Sequence, residues 1–286
     1  MLVHTIKEVR EQVKAWKKEG LTVGYVPTMG YLHEGHRSLI EKAVSENDRV
    51  VVSVFVNPTQ FGPNEDFEDY PRDIQKDYAL CTDAGANLVF NPEPEEMYFP
   101  DKCTTVNVEG LSKGLCGAKR PVHFGGVCLV VSKFLNIVTP DRAYFGEKDA
   151  QQLAIIKRMV RDLSMDVEIV GCPIVREADG LAKSSRNTYL SAEERVAALV
   201  LNRSLTKAKA AMEGGLRCVS EIRDLIESEI KEEPLAKADY IEIVDSETLQ
   251  PVESVEGDVL VAIAVFIGKT RLIDNFTFRG YIEFFL

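Results

Sequence analysis

Apolar positions recur at two spacings along the chain. Over residues 3–19, Val3, Ile6, Val9, Val13 and Trp16 fall near helical spacing, predicting an amphipathic helix that Gly20 stops. Leu21 to Val26 is a short apolar run closed by Pro27, as a buried strand would be. His36 to Val44 reads as helix. Arg49 to Val56 is β-branched and almost wholly apolar, the pattern of a strand covered on both faces. Helix over 74–84, strands over 87–90 and 104–108, helix over 127–138, strand over 142–145, helix over 150–163 and strand over 167–170 follow. Strands alternating with helices predict βαβ units and an α/β fold, a doubly wound parallel sheet with helices on both faces. Such sheets take ligands at the C-terminal ends of their strands.

After Val175 the pattern changes. A loop from Arg176 to Asn187 precedes a long helical stretch over 191–212, whose Ser191-Ala-Glu-Glu194 start is a capping box. A second helix spans 218–231, and strand-like runs occupy 240–244, 259–266 and 270–276. Helices first and strands later predict a smaller α+β domain over 176–286, after a sheet domain over 1–175. The 286 residues fit the soft expectation of ~150 residues per domain.

Charge changes the picture. The formal net charge is −11, which alone suggests a protein that repels anions. Residues 221–258, however, hold 13 acidic and 3 basic side chains, and the rest of the chain holds 32 and 31. The surplus is expected to form a solvated face of the second domain. With pI ≈ 5.0 and no basic stripe, nucleic acid is not an expected partner. The longest apolar run, Val259 to Ile267, falls short of the roughly 20 residues of a membrane span. The first residues lack the apolar core of a secretory leader. The six cysteines contain no CxxC pair and read as reduced core thiols of a cytoplasmic protein.

Candidate chemistry gathers where strands hand over to helices. Pro27-Thr-Met-Gly-Tyr-Leu-His-Glu-Gly-His36 holds two of the four histidines, three apart. A zinc pair, a helix-start turn with incidental histidines and an anion site all compete here. Metalloprotease helices space their histidines by four. The anion reading, with imidazole N–H groups and helix amides converging on phosphate, gains from Gly30 and Gly35, which allow close backbone approach. Phe145-Gly-Glu-Lys-Asp149 is either a solvated helix start or a site where Lys148 meets phosphate and Asp149 a ribose hydroxyl. Lys183-Ser-Ser-Arg-Asn187 sets two hydroxyls between two cations, suited to a triphosphate or to an ordinary polar loop. Val56-Asn-Pro-Thr-Gln-Phe61 and Gln152 could read a hydroxyl or carboxylate. Arg120-Pro-Val-His123 is a weaker candidate.

PTMGYLHEGH, VNPTQF, FGEKDAQQ and LAKSSRN, in this order and spacing, resemble the pantoate–β-alanine ligase family over nearly the whole chain. That family belongs to the HIGH/KMSKS nucleotidyl-transferase group, whose Rossmann-like fold agrees with the alternation above. His33-Glu-Gly-His36 takes the HIGH part and the KSSRN run the KMSKS-like position. The resemblance implies that Met29, Gly30, Tyr31, Leu32, His33, Glu34, Gly35 and His36 line the ATP phosphates, with His36 as the usual proton donor. It implies that Gly146, Glu147, Lys148, Asp149, Lys183, Ser184, Ser185 and Arg186 hold ATP, that Val175 meets the adenine through its backbone, and that Gln60 and Gln152 bind pantoate, Gln60 also lying near β-alanine. It assigns no residue to Mg²⁺, the expected metal.

The implied reaction is ATP-dependent condensation of pantoate and β-alanine to pantothenate, in the coenzyme A pathway. The pantoate carboxylate attacks the α-phosphorus of ATP and releases pyrophosphate, and the β-alanine amine then displaces AMP from the adenylate. Two anions meet in the first step, so the site needs positioning and positive potential, which His33, His36, Lys148 and Arg186 can supply. The gem-dimethyl group of pantoate needs apolar contacts, for which Pro27, Met29 and Phe61 are candidates. A homodimer is implied as well. The rival readings are a nucleotidyltransferase of the same fold acting on a phosphorylated alcohol, and a module that binds ATP without turnover.

Overall fold

The computed structural model describes residues 1–63, 65 and 67–280. The last six residues of the expected second domain lie outside the described residues. Strand β1 (Leu2–Val3) leads through α1 (Ile6–Lys18) to β2 (Val23–Thr28), α2 (Glu34–Glu46), β3 (Arg49–Val54), α3 (Ile74–Asp83) and β4 (Leu88–Phe90). Two short helices, α4 (Pro94–Met97) and α5 (Leu115–Lys119), precede α6 (His123–Val138), β5 (Arg142–Gly146), α7 (Ala150–Asp162) and β6 (Glu168–Cys172). The six strands form one parallel sheet in the order β1-β4-β3-β2-β5-β6.

This is the doubly wound α/β architecture expected. Strand β3 shows why its run is apolar throughout. Val51 faces the core that contains Val9, Val13 and Trp16 of α1 and much of α6 and α7. Val50, Val52 and Val54 face the other core, under Leu39, Ile40 and Ala43 of α2 and Cys81 of α3. A strand with helices on both sides has no wet face to fill with polar residues. The chain winds outward from β2 to β3 and β4, then returns to lay β5 on the other side of β2. That reversal is a topological switch point, and it opens a crevice at the strands' C-terminal ends.

The smaller domain pairs β7 (Ala236–Asp245), β8 (Val259–Ile267) and β9 (Thr270–Phe278) in an antiparallel sheet. Helices α8 (Ala192–Ala197), α9 (Leu199–Glu213) and α10 (Val219–Lys231) precede it in the chain. Its core joins Leu201, Leu205 and Met212 to Ile222, Ile226 and the interior residues of β8.

Several local expectations differ from the structure. Helix α1 starts at Ile6, because Thr5 and Glu8 cap each other. Val3 lies in a strand and pairs with Phe90, a long-range contact that helical spacing cannot reveal. The run 104–108 pairs with no strand among the described residues. Val108 is buried and Val106 packs beside it against the core, which reproduces strand-like alternation without a neighbouring strand. The stretch over 191–212 divides at Ala198 into α8 and α9, although the Ser191–Glu194 capping box is present. Of the six free thiols, Cys81, Cys128 and Cys172 are buried, whereas Cys103 and Cys218 are exposed and Cys116 is half-buried. The acidic stretch is not wholly solvated either, since Glu229 is buried beneath Arg203 and Lys207.

Candidate active site

Loops after β2, β3, β5 and β6 converge with the 183–186 segment on a cavity of about 240 Å³. After β2 the chain turns sharply, with Tyr31 at φ 51°, a left-handed conformation that a non-glycine residue adopts at some cost. Asp77 of α3 holds this turn. Its Oδ2 accepts the Tyr31 N–H at 2.8 Å and its Oδ1 the Leu32 N–H at 2.7 Å. Asp77 is 1% exposed, and burial raises its pKa against the lowering effect of those two bonds. No sequence motif marks Asp77. The signal would have been an unpaired acid on the apolar side of a helix.

His33 is the N-cap of α2 rather than a member of it. Its Nδ1 accepts the Gly35 N–H at 3.1 Å, and His36 Nδ1 accepts the His33 N–H at 3.3 Å. The two rings lie 4.2 Å apart. Gly35 permits this, because a Cβ there would sit 2.8 Å from His33 Cε1. Each Nδ1 faces a donor, so each neutral ring carries its proton on Nε2. Burial, followed by the Lys148 charge, lowers the His33 pKa to about 4. Burial, then the neighbouring His33 and Lys148, lowers that of His36 to about 3. Near neutral pH both are therefore hydrogen-bond donors without a charge.

Gln60 is buried at the end of a 3₁₀ turn after β3. Its Nε2 contacts Met29 Sδ at 2.8 Å, and its Oε1 accepts from Asn57 Nδ2 at 3.1 Å. Asn57 also donates to the Gly126 carbonyl at 3.1 Å, and His123 Nδ1 lies 3.0 Å from the Gln60 carbonyl. Burial, with Arg120 next, lowers the His123 pKa to about 4. Asn57 and His123 thus belong to the cavity wall as structural neighbours of Gln60. The cavity is apolar at this end, where Phe55, Val127, Val131 and Phe134 line it. Pro27, Met29 and Phe61 line it too.

The cationic end is built from two segments. Lys148 stands in the 3₁₀ turn Glu147–Asp149 after β5, and Gly146, Lys148, Asp149 and Gln152 all line the cavity. Opposite them are Val175, Lys183, Ser184, Ser185 and Arg186. Ser184 caps the 3₁₀ turn Ser185–Tyr189 by accepting the Arg186 N–H. Lys183 pairs with Glu34 at 3.2 Å, and its N–H donates to the Val175 carbonyl at 2.9 Å. Arg120, paired with Glu65, closes another side.

Most of the residues singled out in the sequence therefore meet at one cavity. Gly30, Tyr31, Leu32, Glu34 and Glu147 do not line it. They shape the turns that present their neighbours, and Glu147 lines a separate cleft between α7 and β9. Among the described residues no group of three His, Cys, Asp or Glu side chains is placed to hold a metal ion. No helix among them is long and apolar enough to cross a membrane.

Comparison with known proteins places the whole chain among relatives of one family. The sequence model described as pantoate-beta-alanine ligase matches residues 1–277. The chain is 70% identical to the pantothenate synthetase of Clostridioides difficile (strain 630), covering 98% of this chain and 99% of that one. It is 64% identical to that of Enterococcus faecalis (strain ATCC 700802 / V583), covering 98% and 99%. The crystal structure of pantothenate synthetase from Thermus thermophilus superposes with a TM-score of 0.90 at 47% identity, covering 96% of this chain and 98% of that one. The pantoate-beta-alanine ligase of Francisella tularensis, complexed with beta-gamma ATP and beta-alanine, superposes with a TM-score of 0.79 at 35% identity, covering 96% and 97%.

Proposed function

The chain belongs to the pantoate–β-alanine ligase family, and on that premise we propose that it condenses pantoate with β-alanine through a pantoyl-adenylate, with ATP as co-substrate. The observation that carries the reading is one cavity with two unlike ends. Uncharged imidazole donors, Lys148 and Arg186 gather at one end, and an apolar wall beside Gln60 forms the other.

In this reading the triphosphate lies along the α2 N-terminus, between Lys148 and the 183–186 loop. Gly146, Asp149 and the Val175 main chain hold the nucleoside. Pantoate sits with its gem-dimethyl group on the apolar wall and its polar groups on Gln60 and Gln152. Its carboxylate attacks the α-phosphorus, the α–β phosphoanhydride bond breaks and pyrophosphate leaves. The Nε2–H groups of His33 and His36, with the Lys148 and Arg186 charges, stabilise the phosphoryl oxygens as charge builds on them. The neutral amine of β-alanine then attacks the adenylate carbonyl and an amide bond forms. The bond between the carbonyl carbon and the AMP oxygen breaks, AMP leaves and the amine's proton passes to solvent. His36 acts here as a hydrogen-bond donor through its Nε2–H, because its Nδ1 is taken up in accepting the His33 N–H.

Mg²⁺ bound to the triphosphate would neutralise charge on the departing pyrophosphate. Asp77, the most buried carboxylate near the turn, is occupied by two N–H donors. The ion's remaining ligands would be phosphate oxygens and water. The reading further places the boundary of the two domains at residue 175, has the 176–286 domain close over the site, and takes the working enzyme as a cytoplasmic homodimer. The test is a coupled assay of AMP formation that requires both pantoate and β-alanine. ADP and phosphate as products would overturn the adenylate route, and a product that retains the nucleotide would favour a nucleotidyltransferase.

A further inference from the structure

Two adjacent residues of β9 reach both halves of the phosphate end, although neither lines the cavity there. Asn275 Nδ2 donates to the Glu147 carbonyl at 3.1 Å and to the Lys148 carbonyl at 2.8 Å. Asp274 is 2% exposed. It receives Arg176 in a two-point pair, with Nη1 to Oδ2 at 2.7 Å and Nη2 to Oδ1 at 2.9 Å. The same Nη1 donates to the Gly180 carbonyl at 3.1 Å, and Arg176 bridges to Ala182. Arg176 therefore ties together the turn that delivers Lys183 to Arg186. Successive residues of a strand point to opposite faces, which is how neighbours on β9 grip two separate segments. Asp274 also accepts the Asn275 N–H at 2.8 Å, so the two grips share one rigid unit.

The Glu147–Asp149 turn has no side-chain cap of its own. Its backbone direction, and so the line along which Lys148 leaves it, is held from outside by the Asn275 amide. A buried amide that bonds two consecutive carbonyls restrains the peptide between them, and removing it leaves both acceptors unpaired. We propose that Asn275 is a positioning residue for Lys148, and that Asp274, through Arg176, is one for the 183–186 loop. The small sheet then sets the separation between the two groups that grip the triphosphate. The inference rests on the ligase reading, and its test separates the two.

The test measures the half-reactions apart: pyrophosphate release from ATP and pantoate, and aminolysis of supplied pantoyl-adenylate by β-alanine. Asn275→Ala is expected to slow the first by at least ~10-fold, in keeping with the cost of misplacing a catalytic group, and to change the second by less than about 2-fold. In a Lys148→Ala background the same substitution is expected to add less than about 2-fold, because coupled sites are not additive. Asp274→Asn is expected to be non-additive with Arg186→Ala in the same way. Asn275→Asp keeps the side chain's size and removes both amide donors. It carries the test if the alanine variant fails to fold. Full additivity in these cycles, or equal losses in both half-reactions, would overturn the proposal. A wild-type protein that forms no AMP would instead overturn the ligase reading.

Discussion

Acidification from pH 8 to pH 5 is expected to weaken the fold through its histidines. In the folded protein His36 titrates at about 3, and His33 and His123 at about 4, against an ordinary value of 6.5. Burial is the first cause in each case. The folded values lie below the unfolded one, so the native state keeps the neutral ring. As pH falls through about 6.5 the unfolded chain takes up protons that the native state refuses. The stabilisation is complete above that pH and is lost progressively toward pH 4 and 3. At pH 5 one such site costs about 2 kcal/mol by linkage, and three independent sites about 6 kcal/mol. Partial exposure of His33 and His36 and the coupling between them reduce this, so a loss of about 3–5 kcal/mol is expected, against a total stability of about 5–15 kcal/mol. Urea unfolding followed by circular dichroism at pH 8, 6.5, 5.5 and 5 measures it. His36→Asn supplies an oxygen to accept the His33 N–H and cannot take up a proton, so at pH 5 it is expected to recover about 1–2 kcal/mol of the loss. A wild-type loss below about 1 kcal/mol, or a variant that weakens as steeply as wild type, would refute the reasoning.

The same neutrality bears on activity: between pH 6.5 and 8.5 the rate of AMP formation is expected to show no step from His33 or His36, and a step that His36→Asn abolishes would contradict it. Gly126→Ala would place a Cβ 2.3 Å from the Thr59 carbonyl oxygen and 2.6 Å from Gln60 Cα. A loss of about 1–3 kcal/mol from overpacking is expected, with a raised KM for pantoate, and an unchanged KM would detach the Gln60 turn from substrate binding. Asp77→Asn keeps one acceptor and turns an NH₂ toward the other N–H. It should cost about 1–3 kcal/mol, read as a lower melting temperature, and an unchanged melting curve would show that the turn after β2 holds without this residue. Lys148→Ala should lower adenylate formation by roughly 10²–10³-fold, the loss typical of one removed charge-stabilising donor, with little change in melting temperature. A near-wild-type rate would remove Lys148 from the phosphate end.

The alternation of strands and helices was readable because each depends on spacing within one short segment. The strand at Leu2–Val3 was not, because β4, 87 positions later, decides it, whereas the helix start at Ile6 follows from the local Thr5–Glu8 capping pair. The run 104–108 shows the converse error, in which alternation arose from packing against a core without any strand partner. The site divides the same way. The HxGH, GEKD and KSSRN runs are each ambiguous alone and are recognised by their order and spacing together. Asn57 and His123 stood within candidate runs, but their bonds to Gln60 are set by the fold, and Asp274 and Asn275 are ordinary polar residues until the fold brings their partners near.

The chain's overall charge made an ATP site look unfavourable, and the position of the acids along the sequence already removed that conflict. Periodicity and motif order likewise determined the α/β architecture and which loops were candidates for chemistry, because these are properties of neighbours in sequence. Tertiary structure decided that those loops converge at the switch point between β2 and β5, and that burial and the bonds to each Nδ1 favour neutral imidazoles protonated on Nε2. It also decided that a second sheet holds the Lys148 turn. Each of these depends on desolvation and on bonds between residues as much as 128 positions apart, quantities that no local pattern encodes.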